Sequence, residues 1–309
     1  MKRCTECTIR NPSNPLAALW ILSVILTFGV TSLSAPQTSQ NPSPLTDTAR
    51  SHLRIEHIEE PGRRIDLRTL TGAKLFAGSG VKPNKRVPLV IHFHGASWLI
   101  QHHIAQHLPQ AALITVQLGA GSSVYGRPFG KPEAFDSLIV EAGQAIGLER
   151  KWSSITLTGF SAGYGAIRAI LRHNENFARV NNVLLLDGIH AGYLPEGVML
   201  GDGGSVNSAD LDSFVRFARE AAAGRKNFVI THSEIFPANY ASTTECVDNL
   251  LAALDLKSRP QLLNGPAGMQ QLSVFNAKGL HIRGYAGNTA PDHVDHLHAM
   301  PSWFKLLKF

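Results

Sequence analysis

A serine flanked two positions away on each side by glycine, Gly159-Phe160-Ser161-Ala162-Gly163, directly follows the run Ile155-Thr156-Leu157-Thr158. It directly precedes a helix-like segment, Tyr164 to Arg172. Such a pattern arises by chance in roughly one chain in ten of this length, so its setting decides its meaning. Strand, tight turn and helix form the setting in which the serine is thrust out as a nucleophile. The two glycines remove the Cβ atoms that would collide where strand and helix nearly touch. Upstream, His92-Phe93-His94-Gly95-Ala96 closes the apolar run Val87-Pro88-Leu89-Val90-Ile91. Near the C-terminus, His293, His296 and His298 follow the run Leu280–Tyr285. A serine hydroxyl is inert at its free pKa. It needs an imidazole base, and the imidazole needs a carboxylate to orient it. The chemistry these residue types could support is acyl transfer.

Taken together, the two glycine motifs resemble the α/β-hydrolase family, in its serine-esterase and peptidase branch, over about residues 53–309. The resemblance implies an α/β fold: a mostly parallel doubly wound sheet with an N-terminal antiparallel hairpin and helices on both faces. It implies an oxyanion hole built from the backbone N–H groups of Ala96 (or its neighbour Ser97) and Ala162. His94 and Gly95 would shape the substrate side of that loop. The family's chain order is serine, acid, histidine. For the base, His293 leads, because it follows Pro291-Asp292 in a loop-to-helix setting like the family's. His296, one turn further on, is the alternative, and His298 reads as a helix-surface residue. For the acid, Asp187 ends the run Val183–Leu186 and precedes Gly188, a position some lipases of the family use. The commoner family position follows the next strand, where Thr231-His232-Ser233-Glu234 offers Glu234 instead. The implied reaction is cleavage of a small-molecule or polymer-borne ester through an acyl-enzyme on Ser161. A peptidase or amidase, and a non-catalytic binding member of the fold, are the alternatives. No metal or organic cofactor is expected, since His293, Asp295, His296 and His298 follow no recognised zinc spacing.

These residues need strands to carry them and helices to cover the strands. Buried parallel strands are expected at Val87–Phe93, Ala112–Gln117, Ser154–Thr158, Asn182–Leu186, Phe228–Thr231 and Leu280–Tyr285. Near-continuous apolar runs of this kind belong to sheets covered on both faces. Helices are expected at Trp98–His107, Pro132–Gly147, Ala162–Arg172, Asp210–Ala223, Thr243–Leu254 and His296–Leu307, the last interrupted by Pro301 and starting near Val294. Alternating strand and helix predicts a doubly wound sheet with its active groups at the carboxyl ends of the strands. Ahead of these, Leu53–Ile58 and Arg64–Leu70 around Pro61-Gly62 read as an antiparallel hairpin. The glycine-rich stretch Ala191–Asp210 reads as a lid or a surface loop. His102, His103 and His107 read as surface residues of one helix, His92 as a packed core histidine, and His190 as a pocket-lining neighbour of Asp187.

The first 35 residues are not expected to belong to the domain. Lys2, Arg3 and Arg10 precede an uncharged, mostly apolar run from Leu16 to Val30, and small residues up to Ala35 follow. That order is an export signal. The run is short for the ~20 apolar residues that span a membrane. Export to the periplasm or exterior is expected, with residues 16–33 serving as a membrane anchor if the segment is not cleaved. Residues 36–50, rich in Pro, Ser, Thr, Gln and Asn, read as a disordered linker. The remainder, residues 51–309, suits one domain. Cys4 and Cys7 lie in the leader without a second pair, which argues against zinc, and only Cys246 lies in the domain. The net charge of +6 is scattered along the chain, so no nucleic-acid surface is expected. Membrane contact is expected only through the N-terminal segment.

Overall fold

The six apolar runs become the parallel centre of a ten-stranded mixed sheet. The computed structural model describes residues 50–309. The expected leader, the linker up to residue 49, and Cys4 and Cys7 all lie outside the described residues. In chain order the first half comprises β1 (Gly62–Asp66), β2 (Ala73–Gly78), β3 (Leu89–Phe93), α1 (Ser97–His107), β4 (Ala112–Val116), α2 (Ser122–Gly126), α3 (Pro132–Ile146), β5 (Ile155–Phe160), α4 (Tyr164–Arg172) and α5 (Asn174–Arg179). The second half comprises β6 (Asn182–Leu186), β7 (Tyr193–Leu194), β8 (Ser205–Val206), α6 (Asp212–Ala222), β9 (Asn227–His232), α7 (Thr243–Ala252), β10 (Arg259–Asn264), β11 (Gln270–Ala277), β12 (Leu280–Tyr285) and α8 (Ala290–His298). A 3₁₀ stretch, Met300–Leu306, ends the chain's helical structure. The strand order is β1-β2-β4-β3-β5-β6-β9-β12-β11-β10, and β7 and β8 form a separate ribbon. Among the described residues no helix is long and apolar enough to cross a membrane.

Strand β3 shows why the central runs are apolar throughout. Leu89, Ile91 and Phe93 join the core beneath α3, α4, α6 and α7. Val90 points the other way, into a second core with Leu99, Ile100 and Ile104 of α1 and Trp303 of the C-terminal stretch. Successive side chains alternate faces, and both faces here are covered by helices, so no position on the strand can be polar without a partner.

The N-terminal hairpin differs from the expectation. The paired strands are β1 and β2, in antiparallel register from Gly62 opposite Gly78 to Asp66 opposite Lys74. The turn lies at Thr71-Gly72, where Gly72 takes a φ of 80°, and Pro61 precedes the first strand. The segment expected to be the first strand has no partner in the sheet, and its Leu53 and Ile58 are 64% and 45% exposed. Strand β2 wins because it alternates into both cores: Leu75 packs on one face and Phe76 on the other. It also pairs with both β1 and β4.

Instead of pairing, the segment around Leu53 clamps α8. Arg50 and Arg54 both pair with the fully buried carboxylate of Asp295, and His52 Nδ1 lies 2.9 Å from Asp295 Oδ2. Arg50 also donates to Asp292 at 2.8 Å, and Arg54 to the Pro291 carbonyl at 2.9 Å. Burial alone would raise the Asp295 carboxyl, but hydrogen bonds from Arg54, His52 and Arg50 hold it below its ordinary value. A depressed carboxyl stabilises the fold above the unfolded-state value of about 3.9 and loses that contribution as pH falls through the folded value. Asp295→Asn is therefore expected to cost about 2 kcal/mol at neutral pH, because Arg54 loses its charged acceptor and Arg50 keeps only Asp292. The difference from wild type should shrink in urea titrations below about pH 4.

Candidate active site

Ser161 stands between β5 and α4 with a φ of 47°, in the left-handed region that side chains rarely occupy. The turn that forces it there is closed by backbone. A Cβ on Gly163 would lie 2.0 Å from the Phe93 carbonyl oxygen, and one on Gly159 would lie 3.1 Å from the Gly163 carbonyl carbon. A Cβ on Gly188, which follows Asp187, would lie 2.4 Å from the Ser161 carbonyl oxygen. Strained backbone of this kind persists only where the surroundings over-determine it. Here the end of β3 closes on Gly163 and the residue after Asp187 closes on Ser161 itself.

Asp187, at the carboxyl end of β6, also takes a left-handed φ, of 44°, and is 1% exposed. Its carboxylate accepts four hydrogen bonds. Oδ1 takes the Ser233 N–H at 2.9 Å and the Thr243 hydroxyl at 2.8 Å. Oδ2 takes the Ser233 hydroxyl at 2.7 Å and His293 Nδ1 at 2.7 Å. Burial would raise this carboxyl, yet the neighbouring imidazoles of His296 and His293 and the hydrogen bonds push it well below the carboxylate range. His296 is itself held neutral by burial, its value lowered to about 4. At neutral pH the hydrogen bonds therefore carry most of the effect. An ionised Asp187 can only accept, so His293 donates from Nδ1 and leaves Nε2 with a lone pair.

His293 lies inside α8, not before it. The helix starts at Ala290, a turn earlier than expected, because Thr289 and Asp292 form a reciprocal capping box with Pro291 in the first turn. His296 is buried on the other side, with Nδ1 2.7 Å from Thr231 Oγ1 and its ring stacked on Trp303. Glu234 is exposed and accepts from the Gly287 N–H at 3.2 Å, tying down the loop before α8 without touching His293.

The loop after β3 is held by two histidines. His92 is buried, and burial lowers its value to about 3. The neutral ring lies 2.7 Å from the Thr158 hydroxyl through Nδ1 and 2.7 Å from the His94 carbonyl through Nε2. That second bond fixes consecutive positive φ values at His94 (67°) and Gly95 (123°). A Cβ on Gly95 would approach Leu297 Cδ2 at 3.1 Å in addition to the φ strain. Ala96 follows as the N-cap of α1, without a side-chain cap. The Ala162 N–H opens the turn behind Ser161, where a helix supplies its own N–H groups with no partner. His94 Nδ1 lies 2.9 Å from the Tyr125 hydroxyl. The Phe160 ring lies between His94 (6.0 Å) and His293 (4.4 Å).

Two cavities meet at Ser161. One, of about 220 Å³, is lined by Asp187, His293, Ala290 and Thr243. The other, of about 480 Å³, is lined by His94, Ala162, Tyr164 and Arg168. His190 and Tyr240 line both, with rings 4.9 Å apart. The stretch after Ala191 forms the small β7–β8 ribbon, and Ala191, Gly192 and Asp210 at its ends reach the larger cavity.

The remaining histidines were only partly legible. His103 is 1% exposed and faces the Leu297 carbonyl at 3.1 Å, so it joins α1 to α8 from within rather than lying on the surface. His102 pairs with Glu60 at 2.7 Å. His293, Asp295, His296 and His298 turn to different partners: Asp187, Arg54, Thr231 and the Ile55 N–H. His52, Asp292 and Asp295 place ligand-type atoms within 4.8 Å of one another, but arginines engage both carboxylates.

No protein-family model and no curated protein sequence matches the chain. Similar solved structures include a truncated carbohydrate esterase from gut microbiota, 15% identical, with a TM-score of 0.44 over 81% of this chain and 97% of that one. Another is a feruloyl esterase module from Clostridium thermocellum, 13% identical, with a TM-score of 0.43 over 89% of this chain and 94% of that one. A third is the acylaminoacyl peptidase of Pyrococcus horikoshii, 12% identical, with a TM-score of 0.45 over 80% of this chain and 42% of that one. By its own strand order and directions, and by the strand–serine–helix turn at its centre, the chain has the α/β-hydrolase fold.

Proposed function

We propose that the protein is a serine hydrolase that cleaves a carboxylic ester through an acyl-enzyme on Ser161. The observation that carries this reading is the hydrogen bond from His293 Nδ1 to the fully partnered Asp187, with His293 and Ser161 lining one cavity. His293 Nε2 accepts the Ser161 proton as Oγ bonds to the substrate's carbonyl carbon. The resulting oxyanion is held by the Ala96 and Ala162 N–H groups, which face developing charge without having to reorganise. Collapse breaks the bond to the alcohol oxygen, which takes the proton from His293. Water then attacks the acyl carbon, with His293 accepting its proton, and Ser161 is regenerated. Asp187 keeps the imidazole in the tautomer that each step needs.

The test is hydrolysis of p-nitrophenyl esters of rising chain length beside aminoacyl amides. Ester turnover that exceeds amide turnover supports the esterase reading, and the reverse order makes the protein a peptidase on the same groups. Turnover of neither leaves a binding protein. His296→Ala is expected to cost at most about tenfold in kcat, through lost packing against Trp303 and Thr231. A dead His296→Ala beside an active His293→Ala would move the base to His296.

The protein is further proposed to be exported by residues 1–35. The support is the order of positive, apolar and small residues there. Fractionation of cells expressing the full chain should find it outside the cytoplasm, soluble if the leader is cleaved and membrane-bound if it is kept. Recovery from the cytoplasm with an intact N-terminus is the contrary result.

A further inference from the structure

The two cavities at Ser161 are chemically unlike, and the reaction assigns them. The leaving oxygen must reach His293 for its proton, so the alcohol side belongs in the cavity that holds His293. The acyl side then belongs in the larger cavity, which holds Ala162 and His94 but not the base. No leucine, isoleucine, valine, methionine or phenylalanine lines that acyl cavity among the described residues. A long alkyl chain would find little apolar surface there.

What the cavity offers instead is Arg168. Its side chain is only 19% exposed, yet among the described residues it makes no hydrogen bond. Its one ionic neighbour among the described residues is Asp210 Oδ1, at 3.4 Å, and its guanidinium lies over the Tyr164 ring at 5.3 Å. Asp210 is engaged elsewhere through Oδ2, which accepts from the Gly192 N–H at 3.0 Å and from Asn207 at 3.3 Å. A guanidinium carries five N–H donors in a fork matched to a carboxylate, and the ion pair with Asp210, 3.4 Å from Nη1, leaves donors of that fork without a hydrogen bond among the described residues. Arg168 and Ser161 line this same cavity, so the guanidinium borders the space that an acyl group on Ser161 would enter.

We infer that Arg168 is a specificity-determining residue that binds the far end of the acyl group, and that the preferred substrate is an ester of a short dicarboxylic acid with its second carboxylate free. The inference rests on the hydrolase reading above. The test compares monoethyl succinate with ethyl butyrate, which share a four-carbon acyl chain and differ in a terminal carboxylate against a methyl, with acid release followed by pH-stat. Wild type should favour monoethyl succinate in kcat/KM. Arg168→Gln should lower that value at least tenfold while leaving ethyl butyrate within about threefold, as expected for loss of a charge-assisted hydrogen bond to the substrate alone. Arg168→Lys should fall between. Retained butyrate turnover also reports that the variant is folded. A wild-type preference for ethyl butyrate, or an equal fall on both esters in Arg168→Gln, overturns the inference. Butyrate hydrolysis lost in Ser161→Ala leaves the hydrolase reading standing in that case. If neither ester is turned over, calorimetry with succinate on the Ser161→Ala protein decides: binding abolished by Arg168→Gln keeps the anion site, and no binding removes it.

Discussion

Ser161→Ala is expected to remove nearly all ester turnover, leaving at most the residual ~10³–10⁴-fold rate over water that oxyanion and binding groups supply. The fold should survive, because alanine replaces only the hydroxyl and the turn is set by Gly159, Gly163 and Gly188. His293→Ala should lose kcat by a similar factor, because Oγ without a base is as inert as a base without Oγ. The double variant should be hardly worse than either single one, since members that act as a unit are not additive. Steady-state kinetics on one p-nitrophenyl ester, with circular dichroism to verify folding, measures all three. Multiplicative losses in the double variant would show that the two side chains act independently.

Asp187→Asn is expected to lower kcat about 10⁴-fold, through the tautomer rather than through charge alone. An amide nitrogen facing His293 would donate to Nδ1, forcing the ring proton onto Nε2, where it blocks proton transfer from Ser161. The same change disturbs a buried network. The Ser233 N–H, the Ser233 and Thr243 hydroxyls and His293 all converge on the carboxylate. An amide can accept at only one of its two atoms, so donors are left unpaired. The expected loss of stability is about 3 kcal/mol, read as a lower urea midpoint. Glu234→Gln is the control and should stay within a few-fold of wild type, because Glu234 touches only the Gly287 backbone. An inactive Glu234→Gln beside an active Asp187→Asn would exchange their roles.

The parts of the site that could be read in the sequence are those encoded within a few residues. Gly159 and Gly163 announce a strand–helix turn because a side chain at Gly163 would strike the Phe93 carbonyl and one at Gly159 would crowd Gly163. Asp187 and His293 lie 106 positions apart but each follows a parallel strand, and parallel strands bring their carboxyl ends to one edge. Strand β6 and strand β12 coincide with their apolar runs. Where local signals compete, the reading goes astray. Leu53–Ile58 alternates well enough to suggest a strand, yet β2 offers both cores a side chain and takes the place in the sheet. The start of α8 was legible in Thr289 and Asp292, three residues apart, as a capping box, although the histidines that follow draw attention past it. The β11–β12 hairpin was legible in Lys278-Gly279, where Lys278 takes a φ of 49°. The contacts between Asp295 and the arginines join positions some 240 apart. Nothing local at either end records them, and the same holds for His103 under Leu297 and for Arg168 beside Asp210.

The central claim is that Ser161 carries the acyl group, and covalent capture tests it most directly. Incubating the protein with a fluorophosphonate and mapping the adduct by peptide mass should place one label on the segment containing Ser161. The label should vanish in Ser161→Ala and form much more slowly in His293→Ala. Labelling that persists in Ser161→Ala, or a wild-type protein that takes no label while it hydrolyses esters, would contradict the account.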